Sequence, residues 1–424
     1  MLLQLHRSGL SWRPLEAVGL ESRVHSAFAR VDAFLRQPPR HDHASSLARD
    51  TGLSGEHVGP ALFYFYSHLS GVAPEDVSEQ IERALNAAAD AASAAAMRFS
   101  LYEGILGYAW MLEHLSPIVG VEDSAFSEAL DDAALAALGE EDLADDLITG
   151  TVGVGTYALE RRTNATDVEA ILARVVARLE THSQPVGGGV AWPAHGSSLP
   201  ADARDHREIV YILGLAHGVP GIVAFLARLH GEGLGGDPVT KLVEGALGWM
   251  RSQMRSAPSP AWFDHLAGPG SAIYAGRSRL AWCYGDLSVA IAFALAATHF
   301  EQAAWMETAR QIACTAALRS HDRSGVLDAG LCHGAAGVAH LFHTLWILTA
   351  DDSIRDAAVR WYDDALTRLE TDANALRSFW PGENATWRDD RSFLTGASGI
   401  GLALMAAISP VPPRWSRLLL TSYD

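Results

Sequence analysis

The chain has 424 residues, of which 49% are hydrophobic and 19% charged, and its formal net charge is -18. This composition supplies a large apolar core and excludes a disordered chain. The acidic balance, with no Lys/Arg-rich run, excludes a nucleic-acid or anionic-membrane surface.

The start, Met1 to Arg7, lacks the basic opening and apolar core of a signal peptide. The most apolar stretches, Leu287 to Ala297 and Val338 to Ala350, are too short or too interrupted by histidine to span a bilayer. A soluble, cytoplasmic protein without direct membrane insertion is expected. Helical patterns near Arg23–Arg36 and His57–Ser67 come first. Between them His41-Asp42-His43 follows Pro38-Pro39 and reads as an exposed loop, with a surface metal as the alternative. Residues 1–72 read as an N-terminal helical extension packed on the rest, and 73–424 as one continuous domain.

From residue 76 a two-part unit recurs. Its first part is an amphipathic helix, expected at 76–96, 124–138, 165–182, 237–255, 302–319 and 353–371. In 165–182, Val168, Ile171, Leu172, Val175, Val176 and Leu179 make one apolar face, and Thr166 with Glu169 has the spacing of a capping box. The second part is a glycine turn that opens an all-round apolar helix. Its copies are Gly104-Ile105-Leu106-Gly107, Gly150-Thr151-Val152-Gly153, Gly218-Val219-Pro220-Gly221, Gly285-Asp286-Leu287-Ser288, Gly334-Ala335-Ala336-Gly337 and Gly396-Ala397-Ser398-Gly399. One GxxG means nothing, but six in the same context mark a repeat. Such hairpins close into an all-α ring, six inner helices wrapped by six outer ones, with the turns at one end.

Three long connections, Ser183–Leu215, Ala257–Leu280 and Asp372–Leu394, carry Trp192, Trp262, Trp380 and Trp387. They read either as the rim of an active end or as surface loops pinned by tryptophan.

If the turns share one end, the polar residues beside them converge: Glu103, Asp146, His217, Cys283, Tyr284, Cys332 and His333. Only three cysteines occur, too few and too scattered for a disulfide framework. Cys283 alone would be a small core hydrophobe. Cys332-His333 is more specific, because neighbours on a helix point about 100° apart and reach one ion only from a turn, which Gly334 supplies. Two cysteines and a histidine fit one Zn²⁺ with its fourth position open for water or substrate. A sulfur-rich, neutral centre of that kind suits a thiol substrate, whose pKa it lowers from about 8.5. Cys314 sits on an outer helix and reads as packing, while His340 and His343 on an inner helix read as core or supporting groups rather than ligands. Ala194-His195-Gly196 imitates Ala216-His217-Gly218 without the apolar helix that should follow.

At these residues a resemblance becomes specific. Arg279-Leu280-Ala281-Trp282-Cys283-Tyr284-Gly285 and Leu331-Cys332-His333-Gly334-Ala335-Ala336-Gly337 resemble the two signature motifs of the LanC-type lanthipeptide cyclases. Ala216-His217-Gly218, Ser100-Leu101-Tyr102-Glu103-Gly104 and Asp146-Leu147-Ile148-Thr149-Gly150 are similar to further repeats of that family, so that residues of roughly 75–410 match in register. The length is similar to that of a stand-alone cyclase, without room for a fused dehydratase or kinase. The resemblance implies a double α/α toroid with one zinc held by Cys283, Cys332 and His333. It also implies conjugate addition of a peptide cysteine to dehydroalanine or dehydrobutyrine, forming a lanthionine or methyllanthionine thioether. Catalytic groups would then be His217 as the acid that protonates the enolate, Asp146 setting its position or charge, and Arg279 and Tyr284 lining the site. The substrate would be a dehydrated precursor peptide, and a dehydratase and a transporter are the implied partners.

Asp286-Leu287-Ser288 departs from the Pro-Gly or similar small pair usual in the family, which puts the opening turn of that inner helix in question. Other functions fit parts of the pattern. The same site would serve addition of glutathione or another small thiol, and the ring could be a non-catalytic scaffold for a modification complex. A glycosidase on this ring needs paired carboxylates, for which only Glu103 and Asp146 offer themselves.

Overall fold

Apolar periodicity sets the architecture. The computed structural model describes residues 10–37, 52–73, 76–94, 97–119, 124–162, 168–199, 208–257, 261–274, 278–380 and 386–424, so His41-Asp42-His43 and Thr166 lie outside the described residues. Helices alternate along the chain between an outer and an inner layer. The pairs are α1 (Leu20–Leu35) with α2 (Val58–Leu69), α3 (Ser78–Ala94) with α4 (Ile105–Val119), α5 (Ser124–Ala137) with α6 (Thr151–Arg161), and α7 (Glu169–His182) with α8 (Val219–Gly231). They continue as α9 (Gly236–Ser252) with α10 (Asp286–His299), α11 (Ala303–Ala317), followed by the one-turn α12 (His321–Ser324), with α13 (Ala335–Thr349), and α14 (Asp352–Thr371) with α15 (Ala397–Ile408).

Outer α14 shows why the layers separate. Ile354, Ala357, Ala358, Trp361, Tyr362, Ala365, Leu366 and Leu369 are buried at helical spacing, and the Asp351 side chain caps the helix by accepting from the Ser353 amide at 2.9 Å. In inner α10 every residue from Asp286 to Ala297 is buried. Each large side chain so buried contributes about 1.5–3 kcal/mol of transfer free energy.

The toroid expected from the sequence is present, and all six glycine-turn pairs form. The segment expected to pack on the barrel supplies a seventh. Inner α2 packs between α15 and α4, and outer α1 packs on α14 and α15. The turn before α2, Leu53-Ser54-Gly55-Glu56-His57-Val58-Gly59, has Glu56 where the first glycine of the repeat would stand, which hides it in the sequence.

Backbone hydrogen bonds run from turn to turn and close the ring. Ser54 donates to the Tyr102 carbonyl (2.9 Å), Tyr102 to Ile148 (3.2 Å) and Leu147 to Ala216 (3.2 Å). Gly285 donates back to Leu213 (2.9 Å), Trp282 to Cys332 (2.9 Å), Cys332 to Leu394 (2.9 Å), and Phe393 to Leu53 (3.2 Å). The belt leaves these buried amides satisfied, as burial demands. It also forbids a side chain at the second glycine of a turn. A Cβ on Gly337 would lie on the Leu331 carbonyl oxygen, and Gly399 faces Phe393 in the same way. At the fourth turn the Ser288 hydroxyl instead donates to the equivalent carbonyl, Trp282, at 2.5 Å. Gly285 there adopts φ 93°, whereas Gly334 and Gly396 are extended at -99° and -103°. The departure noted in the sequence is thus a real change of backbone, and Ser288 is built into it.

The long connections contain short antiparallel ladders that the sequence did not signal: β1 (Gln184–Val186) with β2 (Gly189–Ala191), β3 (Tyr211–Ile212) with β4 (Leu266–Ala267), and β5 (Arg377–Trp380) with β6 (Thr386–Asp389). Trp192 and Trp262 pin two of them, donating to the Leu179 carbonyl at 2.7 Å and to Thr315 Oγ1 at 2.9 Å. The 3₁₀ segment Arg414–Leu419 fills the middle of the ring, for Tyr102 and Trp282 donate from separate turns to the carbonyls of Leu418 and Leu419, both at 2.8 Å. Among the described residues no helix is long and apolar enough to cross a membrane.

Two predictions follow from this packing. Gly337→Ala, with its Cβ on a backbone oxygen, is expected to cost roughly 1–3 kcal/mol or more in denaturant unfolding, while Ser288→Ala loses only about 1 kcal/mol. The second concerns pH. Burial depresses His340 and His343 to about 3 and His299 to about 4. Above about 6.5 these imidazoles are neutral in both states; below it the unfolded chain binds protons that the fold refuses, so stability is lost as pH falls. Each histidine contributes at most about 1.4 kcal/mol per pH unit across that window. Urea melts at pH 7, 6 and 5 should show midpoints falling, with a shallower fall in His340→Phe; an invariant midpoint would contradict neutral burial.

Candidate metal centre

The belt brings the fourth and fifth turns side by side, because the Trp282 and Cys283 amides both donate to the Cys332 carbonyl, at 2.9 and 3.4 Å. Cys283, Cys332 and His333 therefore meet, one ligand atom from each lying within 4.8 Å of the others. No other group of three or more such residues arises among the described residues. His333 Nδ1 is buried without a hydrogen-bond partner, while Nε2 faces Asp328 Oδ2 at 3.3 Å. Two thiols and an orphaned imidazole nitrogen are the donors a soft or borderline cation requires, so the residues fit a metal ion.

Charge supports the same reading. Burial would push the Cys283 thiol up, but the hydrogen bond with Cys332, the Arg279 guanidinium and His333 outweigh it and hold it well below its ordinary value. Arg279 Nη2 donates to Cys283 Sγ at 3.1 Å. Cys332 is pushed up, first by that shared hydrogen bond and then by burial, so one thiolate is favoured at the pair. Burial opposes a charged His333, yet Asp328 and Cys283 push it up to about 9. A cation that takes both sulfurs and Nδ1 displaces these protons.

The second group is built around Asp146. This carboxylate is buried and accepts four hydrogen bonds: His217 Nδ1 and Ser198 Oγ, each at 2.6 Å on Oδ2, and the Thr149 amide and hydroxyl at 2.9 and 3.3 Å on Oδ1. Burial raises its pKa, but His217, Ser198 and Thr149 together leave it lowered. Tyr284 feels the charge of both groups, the sulfurs of Cys283 and Cys332 and the Asp146 carboxylate, and its ring lies 5.2 Å from that of His265. Burial, then those three charges, push the phenol up, so it stays a donor. Arg279 stacks its guanidinium 5.8 Å from the Tyr284 ring centre and meets Cys283, not Asp146.

Asp146, His217, Arg279, Tyr284, Cys283, Cys332 and His333, all singled out in the sequence, thus gather at one end. Glu103 does not join them; it pairs with Arg98 at 2.5 Å. Cys314 lies on α11 beside Asp351 and Ser353, and His340 and His343 pack against Trp12.

Three contributors were missed. Ser198 stands two residues after Ala194-His195-Gly196, His265 accepts the Arg279 amide at Nε2 (3.0 Å), and Asp328 faces His333. Asp328 alone left a signal, for it stands six residues before Gly334 as Asp390 stands six before Gly396.

Comparison with known proteins gives the family and the fold. The profile of the family described as Lanthionine synthetase C-like protein matches residues 51–420. The chain belongs to that family. Among solved structures, nisin cyclase superposes with a TM-score of 0.69 at 16% identity, covering 96% of this chain and 98% of that one, which shows a common α/α toroid. An alpha-1,6-mannanase from Salegentibacter gives a TM-score of 0.45 at 12% identity over 92% and 97% of the two chains. No curated protein matches by sequence.

Purified protein is expected to carry about one metal ion per chain by elemental mass spectrometry, as a single three-ligand site requires. Cys283→Ala and Cys332→Ala should lose it and Cys314→Ala keep it. Full occupancy in both of the first two variants would exclude the site.

Proposed function

We propose that this family member is a zinc-dependent lanthipeptide cyclase, adding cysteine thiols of a dehydrated precursor peptide to dehydroalanine or dehydrobutyrine to form lanthionine and methyllanthionine rings. The observation that carries the reading is the pairing, at one end of the ring, of a two-sulfur, one-imidazole donor set with a separate His217–Asp146 couple. Zinc held by Cys283, Cys332 and His333 supplies, when bound, a Lewis acid that lowers the pKa of the substrate thiol.

The other residues handle protons and charge. Conjugate addition moves one hydrogen from sulfur to the α-carbon and forms a carbon–sulfur bond at the β-carbon, with no net gain or loss of protons. One imidazole is enough for both transfers. His217 Nδ1 is tied to Asp146, which leaves Nε2 to receive the thiol proton and return it to the α-carbon as the enolate collapses. Ser198 and Thr149 keep Asp146 an anion, so the imidazolium is stabilised between the two transfers. Arg279 holds Cys283 as a thiolate and leaves the ligand set charged for a cation. Tyr284, kept protonated, offers a hydrogen bond where enolate charge develops. The substrate arrives from a dehydratase and the product leaves to a transporter, and the cytoplasm is the proposed site of action.

A synthetic peptide carrying one dehydroalanine and one cysteine tests the reading. Free thiol is followed by alkylation and mass spectrometry, with glutathione added in parallel. Wild-type protein should close the ring far faster than buffer, and His217→Ala should slow it by about 10²–10⁴-fold. Equal rates with and without protein, or glutathione adducts in place of rings, would falsify it.

A further inference from the structure

Asp328 is the buried titratable group nearest the ligand set for which the reaction has no use. It is 3% exposed, in a chain segment, Leu327-Asp328-Ala329-Gly330, that leads into the fifth turn. Its Oδ1 accepts the Gly330 amide at 3.0 Å. Oδ2 is buried without a hydrogen-bond partner and stands 3.3 Å from His333 Nε2. Room for the carboxylate is set aside in the turn, since a Cβ on Gly334 would collide with Oδ1.

An imidazole can offer a lone pair from only one nitrogen, and the proton on the other decides which. Here one nitrogen faces a buried carboxylate oxygen and the other, Nδ1, is buried without a partner. Resting on the metal reading above, we propose that Asp328 is the positioning residue of the centre: it accepts a hydrogen bond from the Nε2–H of His333, so that the Nδ1 lone pair faces the sulfurs of Cys283 and Cys332. Arg279 plays the matching part for Cys283, so Cys283 and His333 each have a group of opposite charge beside them.

Asp328→Asn tests this with metal affinity rather than turnover. The amide keeps an oxygen for the Gly330 amide but turns its NH₂, a donor, toward the Nε2–H. Zinc affinity by chelator competition is expected to fall about 10–100-fold, the loss typical when a hydrogen-bond partner of a ligating histidine is removed. The apo protein should melt near the wild-type temperature. In a His333→Ala background the same substitution should change affinity little. An equal loss in both backgrounds, or unchanged affinity in Asp328→Asn alone, overturns the proposal. Should Asp328→Asn not fold, ¹⁵N shifts of His333 in the zinc-loaded wild-type protein decide: a proton on Nε2 supports the assignment and a proton on Nδ1 overturns it. Wild-type protein that binds no zinc is a different result, which removes the metal reading itself.

Discussion

Everything at the functional end depends on the belt of backbone hydrogen bonds between the glycine turns. Each bond is worth only about 1 kcal/mol net. Its importance is geometric. Trp282 and Cys283 bind the carbonyl of Cys332, so two thiols 49 positions apart (332 minus 283) become neighbours before any cation is present. The entropy of closing that loop is met by folding and not by metal binding. The glycines serve the same end. A side chain at Gly337 would push Leu331 away, and with it the Cys332 amide that donates to Leu394. A glycine pattern that looks like a helix signature is therefore a constraint on how closely adjacent turns approach.

The fourth turn shows what happens when the constraint is met another way. Gly285 is left-handed, and its amide reaches back to Leu213 in the connection before the third turn. Asp286 is then fully buried, paired with Arg319 at 2.9 Å and accepting the amides of Phe263 and Trp262 at 3.0 and 3.3 Å. Those bonds hold the loop that carries His265 against Arg279, and Arg279 against Cys283. The local exception in the repeat thus recruits an otherwise remote loop to the thiolate. Ser288 completes it by donating to the carbonyl that a second glycine would merely have avoided.

This explains what could be read from the chain and what could not. The repeat, the alternation of helices and the candidate donors Cys283, Cys332 and His333 are local: each depends on residues within one turn of its neighbours. All were legible. The α1–α2 pair was not placed in the ring because Glu56 replaces a glycine, although Gly59 keeps the close approach, with its Cβ position 2.8 Å from the Phe393 amide. Ser198 and His265 were invisible for a different reason. They stand in connections without periodicity, and only the tertiary path of β2–β3 and β3–β4 brings them to Asp146 and Arg279. The belt positions them, and no sequence spacing encodes a belt.

The centre contains two Asp–His couples, and their difference separates two kinds of work. Asp146 binds Nδ1 of His217 at 2.6 Å, whereas Asp328 faces Nε2 of His333 at 3.3 Å. The nitrogens left over are therefore opposite ones. In His333 it is Nδ1, next to its own backbone and aimed among sulfurs whose positions the belt fixes, as a ligand must be. In His217 it is Nε2, at the far tip of the ring, where a proton can be passed to a group that is not part of the protein. The supporting carboxylates differ as well. Asp146 is saturated with four donors, whereas Asp328 accepts the Gly330 amide and leaves Oδ2 to face the ring. In the proposed function, the nitrogen each aspartate faces is what suits one histidine to bind a metal and the other to carry a proton.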